Sequence, residues 1–307
     1  ELSYPDHILM DHAESYALAI GFFDGLHKGH QTVIQNAVKE AKALGIQSAV
    51  MTFNPHPSHV LGGGKNKVGY ITPFQEKVAV LASLGVDTLF VVEFDQALAS
   101  LSPEQFVEFF IKQLGVKHVT AGFDYSFGSK GAGTMEDMKQ LSGGLYETAV
   151  IGKVTDQEDK ISSTRIRKLL GEGKVEEAAV LLGRNFRTIG TVVHGEKNGR
   201  KLGFPTANVL PPQDSILPLN GVYAVRFIVE GKTYDGVCNV GVKPTFEQNQ
   251  EQAIVEVHVL DFDGDLYDKE VAVEWLYFIR KEKKFESFEA LIEQIGKDKA
   301  RAADLLQ

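Results

Sequence analysis

His27 and His30 stand three residues apart in the run Gly21-Phe22-Phe23-Asp24-Gly25-Leu26-His27-Lys28-Gly29-His30, which also holds three glycines. Either imidazole can donate a hydrogen bond to a phosphate oxygen, and a protonated ring would offset charge building up in a transition state. The flanks give the run its place. Tyr16 to Ile20 is a short apolar stretch, and Val33, Ile34, Ala37, Val38, Ala41 and Leu44 recur at helical spacing until Gly45 can end a helix. A strand-to-helix turn leaves backbone N–H groups and the positive end of the helix dipole for an anion, so Gly21, Phe22, Asp24 and Gly29 count with the histidines as a phosphate cradle. The chemistry this suits is nucleotide transfer. A zinc site shared with His56 and His59, or purely structural histidines, are the other readings, and neither accounts for the glycines. A dinucleotide fingerprint is absent, and Gly64-Lys65 is followed by Asn66 rather than Ser or Thr.

Three further segments each follow an expected strand. Thr52-Phe53-Asn54-Pro55-His56-Pro57 offers the Asn54 amide in a rigid turn, or is a simple Pro-rich turn. Gly122-Phe123-Asp124-Tyr125-Ser126-Phe127-Gly128 combines aromatics with an acid, which suits a flat ligand with hydrogen-bonding edges. In Ile161-Ser162-Ser163-Thr164-Arg165-Ile166-Arg167 the hydroxyls suit a helix N-cap, but Arg165 opposes the dipole in the first turn, a conflict that an anionic ligand resolves.

The later half has its own polar set. Gly199-Arg200-Lys201-Leu202-Gly203-Phe204-Pro205-Thr206-Ala207-Asn208 puts a hydroxyl and an amide at i and i+2, which share a face in an extended segment and can converge on a magnesium-phosphate group. A polar strand end is the plainer reading. Glu256, between Val255 and Val257, is either an inward-pointing base for a hydroxyl nucleophile at a barrel mouth or a solvated outer-face glutamate, and the pattern does not choose its face. Asp261-Phe262-Asp263-Gly264-Asp265 departs from a calcium loop at Leu266 and Ala272 and is expected to be a hairpin turn. Cys238, the sole cysteine, excludes an intrachain disulfide and reads as a buried, inert thiol in a strand.

The elements that must position these groups fall into two textures. Strands are expected near 16–20, 47–53, 87–93, 117–121 and 147–151, with helices near 31–44, 73–84, 103–114 and 134–142, an alternation that predicts a doubly wound parallel α/β sheet. Such sheets bind ligands beyond the carboxyl ends of their strands, where the histidine turn falls. Beyond Gly183, alternating runs separated by turns such as Glu230-Gly231 and Asp263-Gly264 predict an antiparallel barrel or sandwich. An amphipathic helix from about Ser287 to Leu306, with Phe288, Leu291, Ile292 and Ile295 on one face, is expected to close it.

With 307 residues, 43% hydrophobic and 24% charged, the chain has the composition of a soluble protein of about two domains. No apolar run approaches the roughly 20 residues that span a bilayer. The net charge of −9 argues against broad nucleic-acid binding, and the expected location is cytoplasmic, with neither nucleic acid nor membrane as a partner.

Taken in order, Gly21 to His30, Thr52 to Pro57, Gly122 to Gly128 and Ile161 to Arg167 resemble the adenylyltransferase half of the bacterial bifunctional riboflavin kinase/FAD synthetase (FMN adenylyltransferase) family. Pro205-Thr206-Ala207-Asn208, Asn239 to Phe246, the internal Glu256, and Phe278-Ile279-Arg280 with Phe285 resemble its riboflavin kinase module, so the resemblance covers essentially the whole chain. It implies an adenylyltransferase domain over 1–183 and a β-barrel kinase domain with a C-terminal helix over 184–307. It implies that riboflavin and ATP give FMN, and that FMN and a second ATP give FAD and pyrophosphate, with Mg²⁺ and no covalent intermediate. His27, His30 and Arg165 would serve adenylyl transfer and Glu256 the kinase; Gly21, Phe22, Asp24, Gly29, Asn54, Ser162, Ser163 and Thr164 would bind ATP in the first domain. Gly199, Lys201, Thr206 and Asn208 would do so in the second, the last two with the metal; Asp124, Phe127 and Arg280 would meet flavin. A chain with one active module, or a flavin-binding regulator without chemistry, are the alternatives.

Overall fold

In a computed structural model that describes residues 1–4, 14–61, 69–195, 199, 203–244 and 251–307, the chain packs as two units. The first comprises Glu1–Gly69 and Phe74–Ser162, the second Tyr70–Pro73 and Ser163–Gln307.

The first unit runs β1 (Tyr16–Ile20), α1 (Lys28–Leu44), β2 (Gln47–Asn54), α2 (Pro57–Leu61), α3 (Phe74–Ser83), β3 (Thr88–Glu93), α4 (Gln96–Ala99), α5 (Pro103–Val107), β4 (Val116–Gly122), α6 (Met135–Leu141) and β5 (Glu147–Ile151). A short ribbon of β6 (Thr155–Asp156) and β7 (Asp159–Lys160) ends it. The five main strands form a parallel sheet in the order β3-β2-β1-β4-β5. β1 is buried at all five residues, as a central strand covered on both faces must be. The order reverses at β1, whose neighbours are β2 on one side and β4 on the other, so a crevice opens beyond its carboxyl end. All five expected strands are present. The first helix begins three residues earlier than its apolar spacing indicates, because His27 caps it: Nδ1 accepts from the His30 backbone N–H at 3.3 Å. Histidine is not among the usual capping residues, so the signal is weak in sequence. The helix expected over 103–114 is α5 followed by a π-helical turn at Glu108–Lys112, and Phe106, Val107, Phe110, Ile111 and Leu114 still share one core.

The second unit runs α7 (Ser163–Gly171), α8 (Val175–Leu182), β8 (Phe186–Val193), β9 (Ala207–Leu210), β10 (Gly221–Val229), β11 (Lys232–Pro244), β12 (Glu251–Val259), β13 (Glu270–Arg280) and α9 (Phe288–Leu306). Its six strands close an antiparallel barrel, β10-β11-β12-β9-β8-β13. Gly183, near which the sequence places the boundary, ends α8 in the left-handed region at φ 71°, and α8 packs on β8 and β13. Trp275, Tyr223, Phe227, Val225 and Cys238 are fully buried in the barrel unit. The Trp275 indole donates to Thr188 Oγ1 at 2.9 Å, which satisfies its polar edge.

Two expectations about this unit need correction, and one open alternative is decided. Glu230 and Gly231, at φ 50° and 74°, do make a two-residue hairpin between β10 and β11, but Asp263-Gly264 does not make one. It lies between β12 and β13, which are not neighbours in the barrel, so the segment is a cross-connection. The apolar face expected to seal the barrel is partly outside: Phe288 is 71% and Ile292 40% exposed, while the buried residues of α9 are Asp298 and Ala302. A buried ion pair supplies the attachment, with Arg280 Nε and Nη2 on the Asp298 carboxylate at 2.7–3.0 Å. Third, Glu256 does not point into the barrel. Its neighbours Val255 and Val257 are fully buried and occupy the interior, and strand alternation turns Glu256 to the outer face.

Candidate functional site

The turn after β1 is held in an unusual backbone conformation. Phe23 and Leu26 have φ of 52° and 42°, and Gly25 of 85°. Two non-glycine residues in the left-handed region carry strain of about 1–3 kcal/mol each, a feature that clusters where a ligand is bound. The His27 and His30 rings stack at 3.6 Å between centroids and 19°. Gly29 permits this: a Cβ there would sit 3.2 Å from the His27 ring. Because His27 Nδ1 accepts the backbone N–H, its Nε2 carries the proton in the neutral ring.

His30 stands edge-on to Phe23 at 5.3 Å, and among the described residues its Nδ1 is buried without a hydrogen-bond partner. Burial first, then the positive fields of His27, Lys77 and Lys160, hold its pKa well below the ordinary value. Of the two roles open to an imidazole here, neutral donor and protonated ring, His30 at neutral pH is therefore suited to the first.

The remaining predicted residues of this unit have varied settings. Gly21 packs on the Phe23 ring, where a Cβ would lie 3.0 Å away, and Asp24 is buried at 3% exposure. Phe22 turns its ring edge to His56 at 4.2 Å, and its carbonyl accepts from Thr52 Oγ1 at 2.9 Å. Asn54 ends β2 and is exposed. Asp124 is exposed and paired with Lys160, whose Nζ also lies 4.7 Å from the Phe123 ring centroid. Phe127 faces the core, against Phe106 and Tyr125, whereas Phe123 is 49% exposed. Ser162 ends the first unit; Ser163, Thr164 and Arg165 form the first turn of α7 in the second. Lys77 and Lys160 were missed in sequence. Lysine carries no periodic signal, and only folding brings residues 77 and 160 within the field of His30.

In the barrel unit Asn208, Glu256 and Asn239 lie side by side on β9, β12 and β11, one rung across three strands. Asn208 is 9% exposed and packed so closely beneath Gly195 that a Cβ there would fall 2.3 Å from its Nδ2. Two residues along from Glu256, the His258 ring donates from Nδ1 to the Pro205 carbonyl at 2.8 Å, tying β12 to the Pro-Thr-Ala-Asn segment. The Gly199 carbonyl accepts from Phe204 N at 2.8 Å, while Lys201 and residues 245–250 lie outside the described residues. A cavity of about 550 Å³ opens beside Thr206, lined by Val192, Val257, Phe262, Leu266 and Tyr267 among others. Cys238 is buried and its thiol pKa is pushed well up, by burial and then by Glu256 nearby. Arg280 is engaged by Asp298, with Phe285 5.8 Å from its guanidinium carbon.

Comparison with known proteins matches each unit separately. A family model described as FAD synthetase matches residues 9–165, and one described as riboflavin kinase matches residues 182–306. A bifunctional riboflavin kinase/FMN adenylyltransferase of Bacillus subtilis is 45% identical over 98% of this chain and 96% of its own. One of Listeria monocytogenes is 47% identical over 92% and 89%. A crystal structure described as a macrolide-efflux protein from Streptococcus pneumoniae is 36% identical, covers 94% of both chains and superposes with a TM-score of 0.86. Among the described residues, no helix of the present chain is long and apolar enough to cross a membrane.

Proposed function

The chain belongs to the bifunctional riboflavin kinase/FMN adenylyltransferase family, a transferase that makes FMN from riboflavin and ATP and FAD from FMN and ATP, and we propose a division of its residues between the two reactions. The adenylyltransferase domain is 1–183 and the kinase domain 184–307, acting in the cytoplasm without nucleic acid or membrane as a partner.

In adenylyl transfer an FMN phosphate oxygen bonds to the α-phosphorus of ATP, the bond to the β-phosphate oxygen breaks, and pyrophosphate leaves. Nothing in this step needs a covalent enzyme intermediate, so catalysis is by placement and charge. His27 Nε2–H and the neutral His30 ring donate to ATP phosphates, with the backbone of the turn around Gly21, Phe22, Asp24 and Gly29 behind them. Lys160, held by Asp124, is poised to follow the negative charge. Ser162, Ser163, Thr164 and Arg165 cradle the pyrophosphate, and Asn54 and Asp124 place the substrates. The exposed Phe123 ring offers the flavin a face, and Phe127 supports that loop from the core.

In the kinase reaction Glu256 takes the proton of the ribityl 5′-hydroxyl as its oxygen bonds to the γ-phosphorus, and ADP leaves. Thr206 and Asn208 supply neutral oxygen ligands, which suit Mg²⁺ held mainly by phosphate oxygens; that ion would neutralise charge between the phosphates. The Asn208 amide is fixed beneath Gly195 one position across from Glu256, which fits this donor set. Gly199 and Lys201 complete the phosphate loop, and the cavity beside Thr206 takes the base and ribose of ATP, being large enough and lined by both apolar side chains and the carboxylates Asp263 and Asp265. Arg280 meets flavin while anchored by Asp298.

The observation that supports this division best is the rung Asn208–Glu256–Asn239, a carboxylate between two amides on adjacent strands of one unit, while the stacked histidines lie in the other. Incubation with riboflavin and Mg-ATP, and separately with FMN and Mg-ATP, followed by chromatography, tests it in wild type and in His30→Ala and Glu256→Gln. Each variant should lose one product step alone. Loss of both steps, or of the opposite one, overturns the division.

A further inference from the structure

Lysine is rarely buried, because removing an ammonium from water is costly. Lys77, the fourth residue of α3, is only 5% exposed. Its Nζ donates to the Phe22 carbonyl at 3.1 Å and to Thr52 Oγ1 at 3.2 Å, and lies 5.1 Å from the centroid of the Phe22 ring. Neither bond is needed to satisfy its acceptor. The Thr52 hydroxyl already donates to the Phe22 carbonyl at 2.9 Å, so an apolar side chain at residue 77 would orphan neither of these two groups, and what it would remove is the charge that faces the buried Asp24 carboxylate. Burial lowers the Lys77 pKa to about 8 against the opposing pull of the Asp24 carboxylate, which means that the fold bears a cost to keep this charge at neutral pH. What the ammonium stands behind is the turn between β1 and α1, and it contributes to the field that keeps His30 neutral.

We propose that Lys77 is a positioning residue for FMN adenylylation: its ammonium pins the turn at Phe22 to the end of β2 and places a fixed positive charge behind the ATP phosphates. This rests on the reading that the turn holds those phosphates. A polyanion in front of the turn favours the charged form, so ATP binding and protonation of Lys77 reinforce each other. The charged and titratable groups around it are Asp24 on the turn and His30 on α1, with Glu76 its neighbour on α3. His30 is already neutral throughout the alkaline range, which leaves Lys77 as the group of this set that changes charge between neutrality and pH 9.

The test uses the full chain with FMN and ATP and no riboflavin, so that FAD formation alone is read. Lys77→Met should raise KM for ATP about ten- to a hundred-fold, the loss of a charge-assisted contact, while KM for FMN and riboflavin phosphorylation stay at wild type. Wild-type kcat/KM for ATP should fall as pH rises through about 8. In Lys77→Arg, whose charge does not titrate there, activity should be retained and the fall abolished. A wild-type KM for ATP in Lys77→Met overturns the inference, as does an activity loss that comes with a lowered unfolding temperature and is not rescued by Arg. His27→Ala run alongside separates the two readings: full adenylylation in that variant removes the phosphate site itself, whereas its loss with Lys77→Met intact removes only the role given to Lys77.

Discussion

The two units meet the same problem, a nucleoside triphosphate beside a flavin, with different parts. On the proposed division, the phosphate surface of the parallel-sheet unit is a strained turn at a helix N-terminus, lined by stacked imidazoles and backed by a buried lysine. That of the barrel unit is then a rung of side chains on three paired strands, Asn208, Glu256 and Asn239, with apolar neighbours filling the interior. The difference follows from the backbone. A helix N-terminus has N–H groups to spare, whereas a closed sheet has spent its own on the ladder and must present side chains. Adenylyl transfer onto a phosphate that is already ionised needs no base, so donors suffice; phosphorylation of a hydroxyl needs a proton acceptor, and a carboxylate on a strand supplies one.

If that contrast is right, Glu256→Gln gives the largest effect, a loss of about 10²–10⁴ in riboflavin phosphorylation with FMN adenylylation unchanged. A wild-type kinase rate in that variant excludes the base. His30→Ala is the mirror experiment. It should lower adenylylation by about 10²–10³ and leave the kinase step intact. Normal FAD formation from FMN would remove His30 from the mechanism.

Smaller effects separate structure from chemistry within each unit. Arg280→Met strands the Asp298 carboxylate, 3% exposed, and should destabilise the barrel unit by about 3–5 kcal/mol in denaturant unfolding. Replacing both residues, Arg280→Met with Asp298→Leu, should recover most of this; a raised KM for riboflavin that persists in the recovered protein then belongs to a flavin contact. Least of all, Ser102→Ala removes the capping box that Ser102 and Gln105 form at the start of α5, a cost of about 1 kcal/mol confined to the first unit. Riboflavin phosphorylation that declined with it would show that the two units do not unfold independently.

Much of this was legible in residue order. The apolar run Tyr16–Ile20, the helical spacing to Ala41 and the ending at Gly45 are all realised, with Gly45 at φ 67°. The hairpin at Glu230-Gly231 was legible for the same reason, since its conformation belongs to the dipeptide. The Asp263-Gly264 pair looks equally turn-like yet joins strands that do not pair. The face of α9 misled because Phe288 and Ile292 have helical spacing whether or not anything covers them, and the buried Asp298 that anchors the helix looks in sequence like any solvated acid.

Taken alone, the sequence determined the periods of the elements, the order of the motifs and the division into a parallel-sheet half and a barrel half, because these follow from local backbone sterics and the spacing of apolar side chains. Only the tertiary structure decided that Glu256 faces outward beside Asn208, that His30 is neutral, and that Lys77 lies beneath the turn at Phe22. Each of these depends on which distant segments share a face or exclude water from a charge, and neither strand pairing nor desolvation is written in the neighbouring residues.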